Sequence, residues 1–178
     1  CGAAGHAVEA LAEAGLVAMM FANTPAAIAP WGGARGIFGT NPIALACPLP
    51  SRAPIVVDMA LSKVPRGSLL AAKQRGESVP EGWALDAQGR ATTDPAAGLA
   101  GTMVPLGDAK GVALALMVEL LAAGLTGANF AAEASSFLDA KGPPPGTGQL
   151  IVTFDPSAFG ENSTARFAVL ARAIEDQP

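Results

Sequence analysis

The chain has 178 residues, of which 51% are hydrophobic and 15% charged, with a net charge of −4. That is enough apolar material for a core of its own, and a surplus that asks for burial against a further surface. The negative balance and the scattering of Lys and Arg exclude nucleic acid and anionic membrane as partners, and Cys1 and Cys47 form neither a disulfide framework nor a metal pattern.

Residues 3–14 place apolar side chains at helical spacing, with Gly15 as the stop. His6, the only histidine, lies in this helix without a second ligand-type residue at metal spacing, and no catalytic role is assigned to it. Residues 16–21 are an apolar run of strand length, turned by Asn23-Thr24-Pro25. Then comes the most unusual text, Trp31-Gly32-Gly33-Ala34-Arg35-Gly36-Ile37-Phe38-Gly39-Thr40-Asn41-Pro42. Its glycines predict a shaped loop, in which Trp31 either caps the core or faces a ligand, although the spacing is neither a Rossmann nor a Walker fingerprint. Asn41 ahead of Pro42 is expected to be extended, leading into a strand at 43–47 where Cys47 is a small core residue.

A third strand, 53–60, ends in an acid at Asp58, which either accepts from ribose hydroxyls or caps the next turn. A helix is predicted to begin after Pro65. Arg66, at its start, has the planar fork that pairs a carboxylate, though an ordinary surface arginine has the same text. Residues 83–86 form a strand edge before a tight turn, and Thr92-Thr93-Asp94-Pro95 opens a short helix. Asp94 stands alone, and no metal is expected. Lys110 and Gly111 follow a glycine loop at a helix entrance, where a lysine is placed to neutralise a phosphate. The apolar text 112–128 is interrupted by Glu119, Gly124 and Gly127, so it predicts a buried helix rather than a membrane span. Residues 143–146 are a stiff connector, 149–154 a strand, and 163–175 a last amphipathic helix capped by Asn162 or Ser163, with Phe167, Leu170 and Ile174 on its apolar face.

Pro30-Trp31-Gly32-Gly33 followed by Gly39-Thr40-Asn41-Pro42-Ile43-Ala44 resembles the signature of the malate/L-lactate dehydrogenase family, NAD(P)-dependent oxidoreductases of 2-hydroxy acids that are unrelated to the Rossmann-type enzymes. Val57-Asp58-Met59-Ala60, Arg66-Gly67, residues 80–86, Thr92-Thr93-Asp94-Pro95, Pro105-Leu106-Gly107 with Lys110-Gly111, and residues 119–128 are similar to family segments in the same order. The resemblance implies an α/β (α+β) fold, a mixed and largely antiparallel sheet wrapped by helices, forming one NAD(P)-binding domain over 1–178. It implies NAD or NADP as cofactor. A homodimer is expected to cover the apolar surplus, and the cytoplasm is the expected compartment because nothing in the sequence indicates secretion. By matching position the resemblance assigns the cofactor to Gly2, Ala3, Ala4, Asp58, Met59, Ala60, Lys110 and Gly111, and the small carboxylic acid to Thr40 and Arg66. Gly2, Ala3 and Ala4 would offer free N–H groups at a helix start.

Two departures matter. Family members carry a Ser-His-Gly motif whose histidine exchanges the proton, and neither it nor the family's C-terminal Pro-Gly-Glu phrase occurs here, so the chain is expected to be the cofactor-binding middle portion and inactive alone. Asp108 stands where the family usually has glycine, and Pro65 replaces an alanine. The implied reaction is hydride transfer between NAD(P)H and a 2-oxo acid of the malate, lactate or sulfolactate type. The alternatives are reduction of a cyclic imino acid such as piperideine-2-carboxylate, which related members perform, and a fragment that holds dinucleotide without catalysis.

Overall fold

The computed structural model describes residues 3–178, and they cluster into two compact units. The first consists of the chain as far as Phe21, Ile43–Met59 and Leu150–Pro178; the second consists of Ala22–Pro42 and Ala60–Gln149.

The first unit is built on a four-stranded sheet. Its strands are β1 (Val17–Ala22), β2 (Ile43–Leu49), β3 (Arg52–Met59) and, later in the chain, β7 (Gln149–Phe154), in the order β3-β2-β1-β7. The β1–β2 and β2–β3 pairs are antiparallel, with a bulge between Cys47 and Leu49. Side chains alternate across the pleat, so Ala18 and Met20 meet Ala46 and Ala44 on one buried face. Helix α1 (Ala4–Glu13) lies on β2 and β3, burying Ala4, Val8 and Ala12, whose small side chains allow close approach. Gly15, at φ 92, closes it as the sequence predicts. Helix α5 (Ser163–Glu175) also packs on β2, and Arg52 pairs with Glu175.

In the second unit, β4 (Ala84–Leu85), β5 (Ala91–Thr92) and β6 (Thr102–Met103) form a small antiparallel sheet in the order β5-β4-β6. Its core gathers Ala27, Ile28, Leu69, Ala84 and Met103, flanked by Phe38, Trp83 and Leu99. Leu69 comes from α2 (Arg66–Arg75), which packs on α3 (Pro95–Ala100), where the Asp94 carboxylate caps by accepting from the Ala96 N–H at 2.8 Å. The glycine-rich loop leaves and rejoins the unit through a bridge between Ile28 and Phe38. Helix α4 (Ala109–Glu119) runs on into a π-helical turn at Leu120–Gly124.

Several expectations are corrected. Trp31 does not cap the core; it is 62% exposed. Asn41 is not extended, having φ 39, because three hydrogen bonds to its side chain override the preference of a residue before proline. The apolar helix is buried on one side only: Ala115, Val118 and Glu119 face inward, while Leu116, Met117 and Leu120 stand exposed. On α5, Leu170 and Ile174 are likewise exposed and Ala171 is buried, because the helix rests on the sheet through its small residue. Asn162 holds the N-cap position of α5 without capping, and the Ser163 hydroxyl donates to the Gly160 carbonyl instead.

Candidate functional site

In the second unit the lining of a cavity of about 390 Å³ includes the polar residues Thr24, Thr40 and Arg66 and the apolar residues Ala131, Phe137 and Leu138. The two threonines come from the ends of the glycine-rich excursion. The Thr24 Oγ1 accepts from the Thr40 N–H at 2.9 Å and lies 3.3 Å from the Thr40 Oγ1. Gly39 is obligatory between them, since a Cβ there would overlap the Thr24 carbonyl and hydroxyl.

Arg66 opens α2, and its terminal nitrogens donate to the carbonyls of Ala26 at 2.7 Å and Leu99 at 3.0 Å. Each keeps a second N–H, and the buried Nε has no partner. Burial pushes the guanidinium's pKa down from its ordinary value, yet arginine stays charged at any physiological pH. Thr40 and Arg66, paired in the sequence reading as acid-binding residues, thus line one cavity.

Behind it lies a network that the sequence reading missed. Glu119 is 4% exposed, the one buried carboxylate among the described residues. Its oxygens accept from Asn41 Nδ2 at 2.7 Å, from Asn23 Nδ2 at 3.1 Å and from the Ala131 N–H. A single acid inside an otherwise apolar helix was the available signal, because a buried charge requires such partners.

The residues matched to the cofactor fall in both units. In the first, Ala3 is the N-cap of α1 and Ala4 its buried first residue, while Gly2 lies outside the described residues. Asp58, near the end of β3, accepts from the Gly5 N–H at 2.8 Å through Oδ2. The start of α1 is therefore not a set of free donors awaiting phosphate: one N–H is taken, and a carboxylate already complements the positive helix end. Gly5 suits this contact, since an added Cβ would sit 3.1 Å from that of Asp58. Met59 is exposed, and His6 is exposed on α1; Ala60, half-buried, belongs to the second unit.

In the second unit, Gly107 and Asp108 both have positive φ, and Lys110 stands exposed in the first turn of α4. Gly111 is buried where a Cβ would strike the Leu106 carbonyl, so it lets the loop close on the helix. Cys47 is half-buried, and burial pushes its thiol's pKa up, away from reactivity.

No dinucleotide fingerprint follows β1, and every strand pair of defined register is antiparallel, which places the chain among mixed α/β folds outside the Rossmann type. The chain belongs to the malate/L-lactate dehydrogenase family, whose profile matches residues 1–178, as its motifs predict. It is 54% identical over 176 residues to a (2R)-3-sulfolactate dehydrogenase (NADP(+)) of Chromohalobacter salexigens, covering 99% of this chain and 53% of that protein. A Delta(1)-pyrroline-2-carboxylate/Delta(1)-piperideine-2-carboxylate reductase of Pseudomonas aeruginosa is 43% identical over 174 residues, covering 96% and 52%. A dehydrogenase structure from Sinorhizobium meliloti superposes with a TM-score of 0.92 at 40% identity, over 99% of this chain and 52% of that one. The chain spans about half the length of the curated relatives it matches.

Proposed function

We propose that the intact protein transfers a hydride between NADP(H) and the C2 carbon of a small 2-oxo/2-hydroxy acid of the sulfolactate type. The observation that carries this reading is the cavity lined together by Thr24, Thr40 and Arg66, with the two threonine hydroxyls 3.3 Å apart. A 2-oxo acid presents a planar carboxylate and an adjacent carbonyl oxygen, which call for a cation and hydroxyl donors. Arg66 is held by two backbone carbonyls, so its remaining N–H groups meet the acid already oriented. Orientation of this kind supplies several kcal/mol of the barrier reduction, up to roughly 7–11 at best.

A bound reduced nicotinamide supplies the hydride. The residues present fit such a cofactor in character: Asp58 keeps Oδ1 for a ribose hydroxyl beside Met59 and Ala60, and the exposed Lys110, followed by Gly111, offers a cation to phosphate at a helix start. Ala3 and Ala4 are assigned close packing along the nucleotide rather than phosphate binding, because Asp58 occupies the helix end. NADP is preferred to NAD on the strength of the sulfolactate relative. The proton for the new hydroxyl comes from the family histidine, which is not among these residues, so the 178-residue chain alone binds coenzyme without turnover. The intact protein is proposed to be a cytoplasmic homodimer.

A second reading, reduction of a cyclic imino acid, is favoured by the apolar wall of Phe137 and Leu138, which suits a ring better than a sulfonate. Assaying the intact protein with NADPH against 3-sulfopyruvate and piperideine-2-carboxylate separates the two. A higher kcat/KM for sulfopyruvate is expected; preference for the imino acid would move the assignment, and activity on neither would remove it.

A further inference from the structure

We infer that Glu119 is a positioning residue that ties together two segments of the cavity lining, the one carrying Thr24 and Thr40 and the one running from Ala131 to Leu138. The inference rests on the reading that this cavity takes the substrate's carboxylate. The two oxygens of Glu119 serve different segments. Oε2 accepts from Asn41 Nδ2 at 2.7 Å, and that amide also donates to the Ala115 carbonyl at 2.9 Å. Asn41 Oδ1 accepts from the Thr24 N–H at 3.2 Å, and Thr24 in turn holds the Thr40 N–H. Oε1 accepts from the Ala131 N–H and from Asn23 Nδ2, which also donates to the Asn129 carbonyl at 2.9 Å. Ala131 begins the stretch that continues to Phe137 and Leu138 in the same lining, and its carbonyl accepts from the Ala26 N–H. One buried carboxylate therefore ties the threonine segment to the segment from Ala131 onward.

Two features show that the fold gives way to this arrangement. Asn41 keeps a positive φ that its position before proline disfavours. The helix also widens into a π-helical turn immediately after Glu119, a local irregularity frequent at functional sites.

A filler of the same shape would not do. Glutamine has one acceptor oxygen, and with that oxygen kept for Ala131 and Asn23 its NH2 would face the Asn41 NH2. Asn41 has no compensating flip, because its own NH2 would then face the Thr24 N–H and its oxygen the Ala115 carbonyl.

The test compares the intact wild-type enzyme with Glu119→Gln and Asn41→Gly, reading kcat, KM for the acid, KM for NADPH and the thermal midpoint. Glu119→Gln is expected to raise the KM for the acid about tenfold, the scale of one misplaced charge-assisted hydrogen bond, with the KM for NADPH unchanged. Asn41→Gly removes the link between Glu119 and Thr24 without touching the cavity lining, keeps a residue that accepts the positive φ, and is expected to give the same acid-selective rise; it carries the test if Glu119→Gln does not fold. A fall in kcat that tracks the folded fraction with both KM values unchanged, or an unshifted acid KM in Asn41→Gly, overturns the role. If the wild type turns over and the variants match it, only the Glu119 inference fails. If the wild type acts on no 2-oxo or cyclic imino acid, the cavity's reading fails and takes this inference with it.

Discussion

Asp108 has φ 57 and ψ −126, a region that glycine enters freely and a side chain does not. Its carboxylate also stands two residues from Lys110, the cation assigned to phosphate. Asp108→Gly should therefore raise stability by about 1 kcal/mol and lower the KM for NADPH. Thermal denaturation and coenzyme titration check both, and a lower midpoint would show that the loop is not strained. Arg66 invites the converse experiment. Lysine keeps the charge but cannot tie the Ala26 and Leu99 carbonyls while facing the cavity. Arg66→Lys is expected to raise the acid's KM at least tenfold and to cost about 1–2 kcal/mol of stability, a pair of effects that a surface arginine would not show.

At the scale of elements, α1 and β3 are joined by a cap that comes from distant sequence. Ala3 has no side chain with which to cap α1, and Asp58 does so across a separation of 53 residues. Asp58→Ala should cost about 1 kcal/mol, the usual value of a lost cap, and should also raise the KM for coenzyme. Loss of stability with an unchanged coenzyme KM would assign Asp58 to the cap alone. The sequence offered ribose contact or a cap of the following turn; Asp58 instead caps α1, 53 residues earlier, and its second oxygen leaves room for the ribose. Strand and helix locations were legible because local chemistry sets them: short apolar runs of strand length for β1 to β3 and β7, proline and aspartate at the start of α3, glycine at the end of α1. The glycine-rich loop was legible as a loop, and Thr40 and Arg66 do share a cavity. Glu119 was visible only as an acid interrupting apolar text; its role was not legible, because its amide partners Asn41 and Asn23 lie 78 and 96 residues away and nothing local marks them. The conformation of Asn41 was misread for the same reason, since tertiary hydrogen bonds outweigh a nearest-neighbour preference.

For the whole molecule, periodicity identified apolar faces on α4 and α5 but not what covers them. Leu116, Met117 and Leu120 remain 44–55% exposed, an apolar patch of the kind that marks interaction sites. The homodimer reading predicts a dimer mass for the intact protein in sedimentation at micromolar concentration, and a monomer there would contradict it. Acid stability also belongs to this scale. Hydrogen bonds hold three carboxyl groups below their usual pKa range: Asp86 by the Arg90 N–H first, Asp155 by the Ser157 hydroxyl, and Glu175 by Arg52. A depressed folded-state pKa means that the unfolded chain binds protons first as pH falls. The stabilisation is present at neutral pH and is lost on acidification through the folded values. The thermal midpoint should be level from about pH 7 to 5 and fall below about pH 4, modestly because these groups are exposed. A midpoint level down to about pH 3 would contradict this.

The proposed function stands on the passage of a hydride from a reduced nicotinamide to the carbon beside an anchored carboxylate. That step is tested by supplying the intact protein with NADPH deuterated at the transferring position and a 2-oxo acid, then locating the label by mass spectrometry and NMR. One deuterium on C2 of the 2-hydroxy acid product is expected. Product formed without the label at C2, or coenzyme left unoxidised with every 2-oxo and cyclic imino acid offered, would contradict it.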